Sequence, residues 1–182
     1  MNGQTEKKGL NYKLLAITLI LAAGIVIPLI SYVKSHSPDF KVSKEKITKA
    51  DLIGYKEKVD AMVADYTVRQ QDGLPIVHPP VGSDIYLLAK NYDWGKYTLE
   101  LEKGAMYRLH LATLDMKHAI VVRELKLMNR IKVGEFKIIE FIPGVSGEFY
   151  MLCGEFCGQG HASMVGKIIV VDPVAADAVK AL

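Results

Sequence analysis

Cysteine and tryptophan are scarce in this 182-residue chain, with two of the first and one of the second. Charge nearly cancels, at 23 Lys and Arg against 20 Asp and Glu. Two cysteines are too few for a disulfide framework. A surplus of three positive charges makes no basic face by itself, so no nucleic-acid partner is expected. With 24% charged residues and half of all residues apolar, the composition is not that of a disordered chain. It is enough for one modest core. Long apolar runs are rare too, since there is one only. The expected organisation is a small domain with something attached to it.

The single run, LLAITLILAAGIVIPLISYV at residues 14–33, lies between Lys13 and Lys34 and carries no formal charge. At about 1.5 Å of rise per residue, a helix of this length covers roughly 30 Å, the thickness of a bilayer's hydrocarbon core. The Thr18 hydroxyl can bond back to the helix, and Gly24 and Pro28 are tolerated in membrane spans. Tyr32 suits the interface. No clear small-x-small cleavage pattern comes after it, so an anchor is expected rather than a removed signal. The flanks hold Lys7, Lys8 and Lys13 on one side and Lys34, Lys41, Lys44, Lys46 and Lys49 on the other. By charge alone they do not favour an inside N-terminus. The expected divisions are an N-terminal tail at 1–13, a transmembrane helix at 14–33, a connector at 34–80, a domain at 81–172 and a C-terminal tail at 173–182.

Within the connector, Thr48 and Asp51 have the spacing of a capping box. Leu52, Tyr55, Val59, Met62 and Tyr66 then come at steps of three and four, which predicts one amphipathic helix over 48–66. Gln70–Gly73 ends the pattern, and Pro75, Pro79 and Pro80 stiffen the stretch up to residue 81. His36 and His78 read as ordinary surface histidines. From Gly82 the period turns strand-like, with short runs rich in Ile, Val, Leu, Tyr and Phe at 83–89, 97–101, 106–113, 118–124, 135–142, 147–152 and 166–171. Seven short strands without a helical interval predict an all-β two-sheet sandwich or small barrel. In the third run, Tyr107, Leu109 and Leu111 alternate with Arg108 and His110, so His110 is expected to face outward or toward a partner.

The chemistry gathers between the last two runs, where the sequence reads Cys153-Gly-Glu155-Phe-Cys157-Gly-Gln-Gly160-His161-Ala-Ser-Met164. Thiolate, imidazole and thioether are soft donors that select copper and exclude calcium and magnesium. Glycines at 154, 158 and 160 let a short loop turn its side chains inward. One cysteine, one histidine and Met164 would make a mononuclear copper site. Two thiolates could instead bridge two coppers, which calls for a second histidine, and His118 supplies it at the start of an apolar strand. Two further readings of the same residues are a Cys153–Cys157 disulfide and a structural zinc held by Cys153, Cys157, His161 and His118.

At Asp115-Met-Lys-His118, at the Cys153–Met164 loop and at the closing strand 166–172, the chain resembles cytochrome c oxidase subunit II, the subunit that bears the dinuclear copper centre CuA. The resemblance implies a cupredoxin-like Greek-key sandwich over 84–172. It also implies that Cys153 and Cys157 bridge two coppers, with His118 and His161 binding one each. Met164 and the Glu155 carbonyl would be weak ligands, and the Glu155 side chain would stand near a magnesium or manganese ion shared with subunit I. The single apolar run is similar to the single-span subunit II of ba3-type prokaryotic oxidases. That implies a prokaryotic cell membrane, a cytoplasmic N-terminus and a copper domain on the outer side.

The implied activity is electron transfer from cytochrome c through the copper pair to haem in subunit I, where O2 is reduced to water. Redox-coupled proton translocation would belong to the assembled complex, and this chain alone would perform no bond chemistry. Asn91-Tyr92-Asp93-Trp94-Gly95 looks like the aromatic segment through which electrons reach such subunits, with Trp94 as an exposed anchor. The competing reading of Trp94 is a packed core residue. Two other functions share some of these features. One is a membrane-anchored cupredoxin carrier outside an oxidase; the other is the copper domain of a nitrous oxide reductase-like system.

Overall fold

A computed structural model describes residues 11–36, 41–46 and 48–173. It divides into two units, residues 1–39 and 40–182. The first contains helix α1, Tyr12–His36, which is long and apolar enough over Tyr12–Tyr32 to cross a membrane. Over Tyr12–Tyr32 its Leu, Ile and Val side chains are exposed on every face, including Ile17, Leu19, Ile20, Ile25 and Leu29. Such a surface suits lipid and not water. The Thr18 hydroxyl donates to the Leu14 and Leu15 carbonyls at 3.1 and 2.8 Å, so its polar group is satisfied within the helix. Residues 1–10 of the expected tail at 1–13, the C-terminal stretch from 174 and the His36 side chain lie outside the described residues.

The second unit is a two-sheet β-sandwich with one helix. Its elements are β1 Val42–Lys46, α2 Lys49–Tyr66, β2 Thr67–Gln71, β3 Leu74–Val77, β4 Asp84–Ala89, β5 Thr98–Glu102 and β6 Tyr107–Thr113. Then come β7 His118–Val122, β8 Leu127–Ile131, β9 Glu135–Phe141, β10 Gly147–Cys153, a 3-10 turn His161–Ser163, and β11 Val165–Val171. One sheet has the order β1-β9-β6-β4 and the other β2-β3-β5-β11-β10-β7-β8. Most pairs are antiparallel, while β4 with β6, β3 with β5 and β5 with β11 run parallel. The inner faces bring Ile85, Leu87, Leu109, Leu111, Ile139 and Phe141 of the smaller sheet into one core. Leu99, Leu101, Ile120, Val122, Met151, Ile168 and Val170 of the larger sheet belong to the same core. This is the expected all-β two-sheet sandwich.

Helix α2 starts at the capping box, with the Thr48 and Asp51 side chains each bonded to the other's backbone N–H. It buries Tyr55, Val59 and Met62, as the apolar spacing requires. These side chains cover β4, the free edge of the smaller sheet. There the Tyr55 hydroxyl donates to the Leu87 carbonyl at 3.1 Å, and Tyr97 donates to the Tyr86 carbonyl at 2.7 Å. An edge strand whose groups are met in this way is closed to further pairing.

The stretch read as a connector contains three strands that sequence pattern does not indicate. β1 pairs with β9 through exposed residues, Val42 and Ser43 followed by the charged Lys44, Glu45 and Lys46, so it has no apolar alternation to read. β8 is a further strand outside the expected runs. The turn joining it to β7 is closed by the Lys126 N–H on the Arg123 carbonyl, with Lys126 rather than glycine in the left-handed region.

Candidate metal centre

Strand register builds the site. β10 ends at Cys153, which lies opposite Ile120 of β7, and His118 is two residues earlier on the same face of that strand. The Gly154 N–H continues the ladder onto the Ala119 carbonyl at 2.8 Å. Beyond it the chain folds back through the 3-10 turn, closed by N–H bonds from His161 to Gly158 and from Ser163 to Gly160. Gly154 could not be larger, because a Cβ there would lie 2.5 Å from the Val121 side chain.

Five soft donors meet here. Cys153 Sγ and Cys157 Sγ are 3.7 Å apart and unbonded to each other. A disulfide needs about 2.05 Å, so that reading is set aside. His118 Nδ1 lies 3.7 Å from Cys153 Sγ, and His161 Nδ1 lies 3.7 Å from Cys157 Sγ. Met164 Sδ is 3.9 Å from Cys157 Sγ, and the Glu155 carbonyl is 3.2 Å from Cys153 Sγ. The ligand atoms of His118, Cys153 and Cys157 all fall within 4.8 Å of one another. With metal–sulfur bonds near about 2.3 Å and metal–nitrogen bonds near about 2.0 Å, donors on one ion stand roughly 3.5 Å apart. Each cysteine–histidine pair has that spacing. The two pairs are joined through the sulfurs, with a thioether on one side and a carbonyl on the other. This donor set fits copper.

His118 is fully buried, and Cys157 and Met164 nearly so. Burial, with the Cys153 thiol beside it, pushes the Cys157 thiol up to about 11. An incoming metal must therefore displace a proton that the Cys157 thiol holds firmly.

Two features around the donors were not read from the sequence. Asp115 Oδ1 lies 2.9 Å from His118 Nε2, while its carboxylate also accepts from the N–H of Asn91 and of Met116 and from the Thr113 hydroxyl. Burial alone would raise the Asp115 carboxyl, but these bonds, led by His118, hold it below its usual range. An ionised carboxylate only accepts, so His118 donates from Nε2 and turns the Nδ1 lone pair toward Cys153. The second feature is an ion-pair pincer on Glu155, with Lys117 Nζ at 2.8 Å and Arg130 Nε at 2.7 Å. Lys117 and Arg130 hold its carboxyl below the ordinary range.

Trp94 is not an exposed anchor. It is 1% exposed, its ring lies 6.3 Å from that of His118, and its Nε1 has no hydrogen-bond partner. The packed-core reading holds, because the segment around it lies against the ligand loop. Asn91 and Tyr92 both take left-handed backbone, and Tyr92 packs on Gly158 and Gly160. The exposed aromatic beside the donors is Phe156, whose ring is 5.8 Å from that of His161. Away from the site, His110 is bonded to Asp84 at 2.9 Å and His78 lies 3.4 Å from Glu100, so neither is a free surface histidine.

No family model matches the chain. It is 26% identical over 86 residues to cytochrome c oxidase subunit 2 of Thermus thermophilus, covering 47% of this chain and 64% of that protein. It is 32% identical over 76 residues to a probable cytochrome c oxidase subunit 2 of Streptomyces coelicolor, covering 42% of this chain and 24% of that one. The chain thus spans less than two thirds of the length of the relatives it matches. Among solved structures, a chain of a heme-copper terminal oxidase dimer aligns with a TM-score of 0.47 at 18% identity, over 84% of this chain and 99% of its own. Reduced rusticyanin aligns with a TM-score of 0.45 at 15% identity, over 72% and 100%. In sequence, the chain is similar to cytochrome c oxidase subunit II, the family that its ligand loop resembles.

Proposed function

We propose that this chain is the CuA-bearing subunit II of a membrane-bound cytochrome c oxidase. It would accept electrons from cytochrome c and pass them to haem in subunit I, where O2 is reduced to water in a proton-translocating complex. The observation that carries the reading is the paired donor set, two thiolates 3.7 Å apart with one imidazole nitrogen 3.7 Å from each. A mononuclear carrier has no use for the second pair.

A bound copper pair would supply a site that gains and loses one electron with little change of geometry. The residues explain why geometry would change little. Cys153 sits at the end of a strand paired on both sides, and His118 is held by Asp115. The ligand loop beyond Cys153 is wedged against Tyr92 at Gly158 and Gly160. A site fixed in this way needs little rearrangement between oxidation states. Trp94 lies behind the surface against His118, so its part in electron entry would be conduction inward, with Phe156 and His161 nearer the donor protein. Helix α1 would anchor the chain in a prokaryotic cell membrane, N-terminus in the cytoplasm and copper domain outside. Lipid, subunit I and cytochrome c would be its partners.

Copper content and the electron paramagnetic resonance spectrum of the copper-loaded chain test this. Two coppers per chain sharing one unpaired electron are expected, and Cys153→Ser or Cys157→Ser should abolish that signal. A single localised copper in the parent chain would overturn the reading in favour of a mononuclear carrier.

A further inference from the structure

The Glu155 side chain leads away from the donors while its carbonyl faces them. Outside, the carboxylate meets Lys117 at one oxygen and Arg130 at the other, at 2.8 and 2.7 Å. Inside, the carbonyl stands 3.2 Å from Cys153 Sγ. Lys117 directly precedes the donor His118, and Arg130 lies on β8 opposite Ala119 of β7. The pincer therefore ties the ligand loop to the strand that carries the other half of the site.

A magnesium or manganese ion would bring two positive charges to this carboxylate and demand oxygen ligands around itself. Here two side chains bring the same charge, and both carboxylate oxygens are engaged. Lys117 and Arg130 each keep 60% side-chain exposure. Exposed pairs of this kind add little to stability, so their consequence is one of position. We propose that Lys117 and Arg130 occupy the place of a divalent cation at Glu155 and, as positioning residues, hold its carbonyl against Cys153. The chain then needs no metal at this carboxylate. The positioning half rests on the proposed copper function, whereas the cation half does not.

The full-length chain in detergent tests both halves. Without copper, manganese(II) is titrated and the free ion followed by its paramagnetic resonance signal. The parent chain and Glu155→Gln are expected to bind manganese alike, within about twofold. A stoichiometric manganese site in the parent that disappears in Glu155→Gln overturns the proposal. With copper, the Lys117→Gln/Arg130→Gln double variant and Glu155→Gln are expected to shift the copper spectrum and reduction potential in the same sense. Lys117→Arg is expected to keep the parent values. If the double variant retains the parent spectrum and potential, the pincer does not position the carbonyl. Should the parent take up no copper pair, the proposed function falls while the manganese titration still decides the cation half.

Discussion

At Gly160 a methyl group would lie 2.4 Å from the Tyr92 ring, although the backbone there, at φ −85°, accepts any residue. The constraint is steric and comes from the aromatic that wedges the ligand loop. Gly160→Ala is expected to lower stability by about 1–3 kcal/mol, as overpacking does, and to speed copper loss to a chelator. Tyr92→Ala in the same chain should recover much of that loss, because residues in contact couple. Denaturant unfolding of the four proteins in this cycle checks it, and additive effects would mean that Tyr92 does not brace the loop. The donors themselves were legible in sequence because four of them fall within one loop. Their supports were not. Arg130 is far from Glu155 in the chain, and Asp115 looks like any turn aspartate until register places His118 beside Cys153.

Elements were legible where they follow an apolar period and obscure where hydrogen bonding alone defines them. α2 declares itself through Thr48, Asp51 and the Tyr55–Val59–Met62 stripe. By contrast β2, with TVRQQ, looks like a loop, yet Arg69 reaches from it to Glu100 on β5. Its guanidinium donates to both carboxylate oxygens, at 2.9 Å for Nη1 to Oε1. Arg69 is the largest influence on Glu100 and, against burial, holds its carboxyl below the usual range. A depressed carboxyl stabilises the fold above its unfolded value, about 4.3, and loses that contribution as pH falls through the folded value below it. Glu100→Gln is therefore expected to unfold more readily than the parent at neutral pH. The gap should narrow progressively below about pH 4.3. Thermal melts of both proteins across that range test it, and a gap independent of pH would show that the carboxylate's charge contributes nothing.

For the whole molecule, the division between residues 39 and 40 separates an apolar helix from a domain with its own core. A chain beginning at residue 40 is expected to be soluble without detergent and to bind copper. Copper at a thousand times its dissociation constant should stabilise it by about 4 kcal/mol, readable as a raised melting temperature reversed by a chelator. Where the cut falls matters more than composition suggests. β1 lies just beyond the boundary, and its Val42–Lys46 backbone caps the edge of β9 from Ile139 to Glu135. Its side chains are exposed and outside the core, so deleting it removes little buried area. What it leaves is a bare edge on β9, beside Phe136 and Ile138, and an unpaired edge invites a second chain. A chain beginning at residue 48 is thus expected to fold and bind copper, yet to self-associate at concentrations where the longer one is monomeric. Sedimentation of the two side by side decides the matter. Equal monomers would mean that β1 is dispensable, and that the charged residues of β9, Lys137 and Glu135 among them, protect that edge unaided.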